Sequence, residues 1–246
     1  MSWKDKFPKE NRYYENYNGI LYCADCLDIM KQMPENSVDL LLTDPPYNVS
    51  KKNNFKTMER YNNYKGIDFG EWDKGFNQER WILNLENILN NNVNIIIFNS
   101  WQNLLTISNS LQQINVTVKR PLVLKKKNPI PSNRDRLFTN SFEFGVWGIK
   151  GKWTFNRGNY GYKELYWEYS IGNKKYNHPT IKPLKFIIYL IETLSNKNNL
   201  IFDPFLGSGT TAVACEKLNR KWIGIEISEE YCEIAKKRIK SQGVLI

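Results

Sequence analysis

A doubly wound α/β fold is predicted for this chain, and three observations predict it. Short continuous apolar runs rich in β-branched residues recur along the sequence, such as Val38-Asp39-Leu40-Leu41-Leu42-Thr43 and Val93-Asn94-Ile95-Ile96-Ile97-Phe98. Between them lie stretches with apolar residues at helical spacing. Neither an internal repeat nor a Pro/Gly/Ser-rich linker divides the 246 residues, so a single domain spanning 1-246 is expected. Strands apolar on both faces need helices on both sides, which is the parallel-sheet solution.

The elements follow in order. Gly19 to Tyr22 reads as a strand, Leu27 to Met33 as a short helix, and Ser37 to Thr43 as a second strand. Trp81 to Leu89 has helical spacing, Val93 to Phe98 is a buried strand, and Val116 to Val123 is a further strand candidate. Toward the other end come a helix at Phe186 to Leu194, a strand at Leu200 to Phe202, a helix at Thr210 to Leu218, a strand at Trp222 to Ile225 and a closing helix at Ser228 to Lys240. Two stretches break the rhythm. Residues 48–73 are polar with scattered Tyr, Phe and Trp, and 151–177 are rich in Gly, Asn, Tyr and Trp. Long loops in a compact domain are usually functional or disordered, and the aromatics argue for ordered, ligand-facing insertions.

Composition narrows the function. With 41% hydrophobic and 14% aromatic residues the chain can bury a sizeable core, which excludes wholesale disorder. No apolar run reaches the roughly 18 residues needed to cross a bilayer, and the start lacks the apolar segment of a signal peptide, so no membrane association and a cytoplasmic location are expected. Four cysteines are too few for a disulfide scaffold. Cys23 and Cys26 form a CxxC pair, but the second pair that a zinc site needs is missing, so no metal is expected and both read as reduced, buried thiols. The 35 Lys+Arg against 25 Asp+Glu give a net charge of +10, which suits a polyanion. Several basic groups, including Lys125-Lys126-Lys127, sit among Asn and aromatic residues, the mixture that nucleic-acid surfaces use.

Three motifs carry chemistry. Asp44-Pro45-Pro46-Tyr47 follows the second strand directly, and in a doubly wound sheet ligands bind at the carboxyl ends of strands. Two prolines stiffen the backbone and remove N–H donors, leaving a carboxylate beside a bare carbonyl. That acceptor pair suits an exocyclic amine with two N–H groups, and Tyr47 offers a ring for stacking. Taken alone, the same residues also make an ordinary strand-terminating turn. The second motif is Asp203-Pro204-Phe205-Leu206-Gly207-Ser208-Gly209-Thr210-Thr211, between a strand and a helix. It lacks the Lys of a phosphate loop and the third glycine of the dinucleotide fingerprint. Glu226 stands about 20 residues past Gly207, where an acid can accept from ribose hydroxyls. The third is His178-Pro179-Thr180-Ile181-Lys182-Pro183, in which His178 is the chain's one histidine.

Together these motifs resemble those of the amino-methylating DNA methyltransferases. The tetrad in its Asp form is similar to the adenine-N6 class, and Asp-Pro-Phe-x-Gly-Ser-Gly-Thr is similar to the family's S-adenosyl-L-methionine loop. Because the tetrad precedes that loop, the chain is identified as a member of the permuted β group, with a Rossmann-like, circularly permuted methyltransferase fold bearing target-recognition insertions. The resemblance covers about Gly19 to Arg238. It implies catalysis by Asp44, Pro45, Pro46 and Tyr47, and cofactor contacts from Asp203, Phe205, Gly207, Ser208, Gly209, Thr210, Thr211 and Glu226. It further implies that the strand after Glu226 comes from the N-terminus as Gly19 to Tyr22, bringing Asp25 and Cys26 to the cofactor's adenine. Lys182 is expected at the methionine carboxylate, and Lys125 to Pro131 near the flipped base.

The partner implied is double-stranded DNA, with 48-73 as a DNA-facing loop and 151-177 as the target-recognition insertion. A homodimer and a separate cognate restriction endonuclease are compatible with the family. The expected reaction is direct transfer of the cofactor's methyl group to the amine of an adenine flipped out of the helix. Three alternatives stand beside it: cytosine-N4 methylation, which the Asp disfavours; RNA or protein-amide methylation, disfavoured by the motif order; and a catalytically silent DNA-binding module, disfavoured by intact motifs at both strand ends.

Overall fold

A computed structural model describes residues 2–48, 75–129, 136, 138–158, 162–170 and 182–241. Among these, nine strands form one sheet in the order β1-β2-β9-β8-β3-β4-β6-β5-β7. They are β1 (Arg12–Glu15), β2 (Gly19–Cys23), β3 (Val38–Thr43), β4 (Leu89–Asn99), β5 (Thr117–Lys126), β6 (Phe142–Lys150), β7 (Tyr166–Tyr169), β8 (Leu200–Asp203) and β9 (Lys221–Glu226). The run β2-β9-β8-β3-β4 is parallel throughout, whereas β6 is antiparallel to both its neighbours, β4 and β5.

Among the described residues six α-helices cover the two faces: α1 (Cys26–Met30), α2 (Gln78–Leu83), α3 (Leu104–Gln113), α4 (Leu184–Leu194), α5 (Thr210–Lys217) and α6 (Glu229–Lys240). Alternation along the strands divides the core in two. Ile20, Tyr22, Leu41, Ile95, Ile97, Phe202 and Ile225 pack with Ile29, Trp81 and Leu111 of α1, α2 and α3. Their strand neighbours Leu21, Leu40, Leu42, Ile96, Phe98, Ile201 and Trp222 pack with Phe186, Val213 and Ala235 of α4, α5 and α6. Both faces of the central strands are therefore dry, as their apolar runs require.

The permuted order is realised. β2, from the N-terminus, lies parallel to β9 with Cys23 level with Glu226, and the Ala24 amide extends the pairing by donating to the Glu226 carbonyl at 3.1 Å.

Several boundaries differ from the sequence reading. The helix read as Trp81 to Leu89 ends at Leu83, because Leu89 is drawn into the sheet opposite Val38. Elements without a sequence assignment include β1, β7 and α3. The first two are edge strands of sequence Arg-Tyr-Tyr-Glu and Tyr-Trp-Glu-Tyr without apolar alternation. Lys125 and Lys126, read as part of a basic segment, close β5. No helix among the described residues is long and apolar enough to cross a membrane. Most of 48–73 lies outside the described residues, as do 171–181 and with them His178; of the 151–177 insertion, 151–158 and 162–170 are described and include β7.

Candidate active site

β3 and β8 are neighbours whose chains continue in opposite directions, β3 to β4 on one side and β8 to β9 on the other. Such a switch point opens a crevice at the carboxyl ends of the strands. A cavity of about 530 Å³ lies there. Its walls come from Asp25 and Cys26 after β2, the tetrad after β3, Asp203 to Ser208 after β8, and Glu226 with Ser228 after β9. The volume falls in the range of small-molecule sites.

Backbone order fixes the glycine-containing loop. The Asp203 carboxylate is buried and accepts from the Thr43 hydroxyl at 2.7 Å and from the Phe205 amide at 3.1 Å. Burial raises its pKa to about 6, opposed by hydrogen bonds from Thr43 and Thr211. Gly207 has φ 54°, a left-handed turn that suits glycine, and its amide donates to Glu226 Oε2 at 2.8 Å. Glu226 Oε1 accepts from the Ser228 amide at 2.8 Å. Burial raises the Glu226 pKa against these bonds. Each carboxylate oxygen has two acceptor directions, so capacity for ligand hydroxyls remains. Phe205 forms an apolar wall, edge-on to Trp81 at 5.1 Å and to Phe76 at 5.4 Å.

Gly209, which the sequence reading gave to the cofactor, stands at the start of α5. It does not line the cavity. It caps α5 at φ 85°, and a Cβ there would lie 2.9 Å from the Ala235 Cβ of α6, so its smallness serves helix packing. Cys26 lines the cavity as a buried thiol whose pKa is pushed up to about 12 by burial, which keeps it uncharged. Beside it Asp25 is exposed and caps α1, accepting from the Leu27 amide at 2.8 Å.

The tetrad backbone is held at two points. Gln78 Nε2 of α2 donates to the Pro46 carbonyl at 2.5 Å and is itself oriented by Trp81, whose indole N–H donates to Gln78 Oε1 at 3.1 Å. Asn103 Nδ2 donates to the Tyr47 carbonyl at 3.0 Å. The Pro45 carbonyl accepts no hydrogen bond among the described residues. The bare acceptor anticipated from the two prolines is therefore Pro45 alone, since Pro46 is taken.

Lys182, expected from the sequence at the methionine carboxylate, lines the cavity and is paired there with the site's own acids. Its ammonium does not stand clear for an external carboxylate; it donates to Asp44 Oδ2 at 2.5 Å and to the Tyr47 hydroxyl at 3.2 Å, and lies 3.4 Å from Glu143 Oε2. The Tyr47 hydroxyl donates to the other Asp44 oxygen at 2.5 Å. Lys182 also sits over the rings of Tyr47 and Phe98, at 5.4 and 5.2 Å. Its side chain is 6% exposed, against 24% for Asp44. Burial opposes its charge, yet Asp44 and Glu143 outweigh burial and raise its pKa. Burial raises the Asp44 pKa despite Lys182.

Glu143, on β6, lines the cavity and was given no role by sequence reasoning. Lys126 pairs with its Oε1 at 2.8 Å, and Tyr169 donates to the same oxygen at 3.3 Å. Burial opposes its charge, but Lys182 and Lys126 prevail and lower its pKa to about 2. The one available signal was an acid set among Phe142, Phe144, Val146 and Trp147 in an otherwise apolar strand.

Comparison with known proteins agrees with this geometry. Residues 38–237 match a family model described as DNA methylase, of N6 and N4 type. The chain is 32% identical over 251 residues to the Type II methyltransferase M2.LlaDCHI of Lactococcus lactis subsp. cremoris, covering 92% of this chain and 91% of that protein. It is likewise 32% identical over 249 residues to the Type II methyltransferase M2.MboI of Moraxella bovis, covering 91% and 88%. Among solved structures, the M1.HpyAVI–SAM complex superposes with a TM-score of 0.67 at 32% identity, covering 89% of this chain and 98% of that one.

Proposed function

The chain belongs to the DNA methylase family, and from that premise we propose that it transfers the methyl group of S-adenosyl-L-methionine to the N6 amine of adenine in a short DNA sequence. The observation that carries this reading is the meeting of the tetrad and the glycine-containing loop in one cavity, joined by the Thr43–Asp203 bond.

The donor set suits the cofactor. Carboxylates at the ends of the adjacent strands β2 and β9, Asp25 and Glu226, face the same cavity as the Phe205 wall and the Gly207 turn, matching a ligand with hydroxyls and an apolar ring. Asp25, Cys26, Asp203, Phe205, Gly207, Ser208, Thr210, Thr211 and Glu226 would hold it. When bound, the cofactor supplies an electrophilic sulfonium methyl group.

The chain's own residues prepare the acceptor. The adenine amine is a weak nucleophile because its lone pair is delocalised into the ring. Hydrogen bonds from its two N–H groups to the Asp44 carboxylate and the Pro45 carbonyl favour tetrahedral geometry at nitrogen and aim the lone pair. Asp44, with its raised pKa, is suited to take the proton the amine sheds. Extruding the base costs a few kcal/mol, offset in part by contact with the Tyr47 ring. The Type II designation of the relatives supports a restriction–modification role.

The test is methyl transfer from labelled S-adenosylmethionine to mixed-sequence duplex DNA, followed by nucleoside analysis. N6-methyladenine is the expected product. N4-methylcytosine would overturn the base assignment, and no transfer to DNA would overturn the reading.

A further inference from the structure

Asp44 has a cation where its substrate should go. Lys182 places an N–H donor on Asp44 Oδ2 and its ammonium over the Tyr47 ring, which is the arrangement required of a target amine lodged between this carboxylate and this ring. Glu143 Oε2 lies 3.4 Å from the same nitrogen. Glu143 does not wander, because Lys126 and Tyr169 hold its other oxygen. We infer that Lys182 is a stand-in for the target amine on Asp44, and that Glu143 is the positioning residue that receives Lys182 when the flipped base displaces it. The inference rests on the reading that the tetrad accepts an amine.

Charge balance favours such an exchange. Asp44 and Glu143 are matched by Lys126 and Lys182, and a neutral amine entering the site leaves that balance intact. The swap replaces the ammonium on Asp44 with neutral N–H donors while Lys182 keeps a carboxylate partner in Glu143, so the net charge of the site does not change. A long, flexible lysine stem suits the motion, since its terminal bonds can turn the ammonium from one carboxylate to the next. Removing Glu143 has the opposite effect: among the described residues Asp44 becomes the one acid paired with Lys182, which then stays where the amine must bind.

The test combines Glu143→Gln, Lys182→Met and the double variant, assayed at pH 8 on the duplex whose methylated adenine has been mapped. Glu143→Gln is expected to slow single-turnover transfer by about 10- to 100-fold, the range for one lost partner of a charged hydrogen bond. In the Lys182→Met background the same substitution should cost little, because no ammonium remains to be received. A second readout needs no cofactor: affinity for duplex carrying adenine is compared with that for duplex carrying purine, which lacks the amine. Glu143→Gln should erase the preference for adenine, and Lys182→Met should keep it. Equal cost of Glu143→Gln in both backgrounds would overturn the inference. Absence of adenine methylation by the wild-type protein would instead overturn the function on which it rests. Should Glu143→Gln fail to fold, Glu143→Asp takes its place, with a smaller loss expected in the same direction.

Discussion

Thr43, the last residue of β3, donates its hydroxyl to the Asp203 carboxylate at the end of β8 across 2.7 Å in the buried interior. The bond joins the segment that carries the tetrad to the segment that carries the glycine-containing loop. Replacing Thr43 with Val keeps the shape and leaves a buried carboxylate short of one donor, a loss of about 1–3 kcal/mol. Thermal melting should show that loss, and calorimetry should show weakened cofactor binding. A variant that melts and binds like wild type would mean that the bond does not organise the site.

Asp44→Ala should abolish methyl transfer while leaving cofactor binding within a few-fold of wild type. The cofactor contacts proposed above come from β2, β8 and β9, whereas Asp44 faces the amine. Loss of one preorganised electrostatic contact typically costs about 10²–10³ in kcat. Detecting wild-type turnover in this variant would remove Asp44 from the chemistry, and losing cofactor binding would make its role structural.

Two buried carboxylates make opposite contributions to stability as pH changes. Asp203 titrates at about 6 in the folded chain, above an unfolded value near 3.9. Between those values the folded state holds a proton that the unfolded state has released, so stability falls as pH rises from about 4 to 6, by on the order of 3 kcal/mol. Glu143 is lowered to about 2, so its stabilisation is present above its unfolded value near 4.3 and is lost as pH falls toward 2. Melting curves of wild type and Asp203→Asn from pH 4 to 7 test the first: the advantage of wild type over the variant should shrink as pH rises. Wild type against Glu143→Gln should lose its advantage as pH is lowered instead.

Much of the fold could be read because the central strands are buried on both faces. Leu40 to Leu42, Ile95 to Phe98 and Ile201 with Phe202 are continuous apolar runs, and no other setting in a compact domain accommodates them. The helix α3 escaped notice because Leu104-Leu105-Thr106-Ile107-Ser108-Asn109-Ser110 mixes polar residues into a face that buries Ile107 and Leu111 yet leaves Leu105 72% exposed. At the site, local motifs located Asp44 and Asp203 because each ends a strand. The partner of Lys182 could not be read that way. Asp44 and Lys182 are 138 positions apart, and only the packing of the segment before α4 against β3 and β6 decides where that ammonium points. Gly209 shows the converse: within a glycine-rich motif, spacing does not distinguish a residue that admits a ligand from one that admits a neighbouring helix.

Gly209→Ala tests that distinction. The backbone there is left-handed at φ 85°, and the new methyl group would meet Ala235 at 2.9 Å. Strain and overpacking together should cost about 1–3 kcal/mol of stability. Pairing it with Ala235→Gly should recover the packing part of the loss but not the conformational part. Full stability in the single variant, measured by denaturant unfolding, would refute the packing role.

Arg238, near the end of α6, grips the loop from behind the cavity. Its guanidinium donates to the Ser208 carbonyl and hydroxyl oxygens, each at 2.6 Å, and to the Thr210 hydroxyl at 3.2 Å. Ser208 and Thr210 both line the cavity, so the guanidinium sets their position without being one of its walls. A planar fork with fixed donors holds three acceptors at once, which a lysine ammonium on a flexible stem does less well. Arg238→Lys should therefore weaken cofactor binding by a few-fold, and Arg238→Met by about 10-fold or more, the effect of losing a charged hydrogen bond. The rate at saturating cofactor should stay near wild type in both, because the tetrad is held by Gln78 and Asn103 rather than by α6. Steady-state kinetics distinguishes the cases: a rise in KM at constant kcat is expected, while a fall in kcat at constant KM would tie α6 to the reacting groups instead.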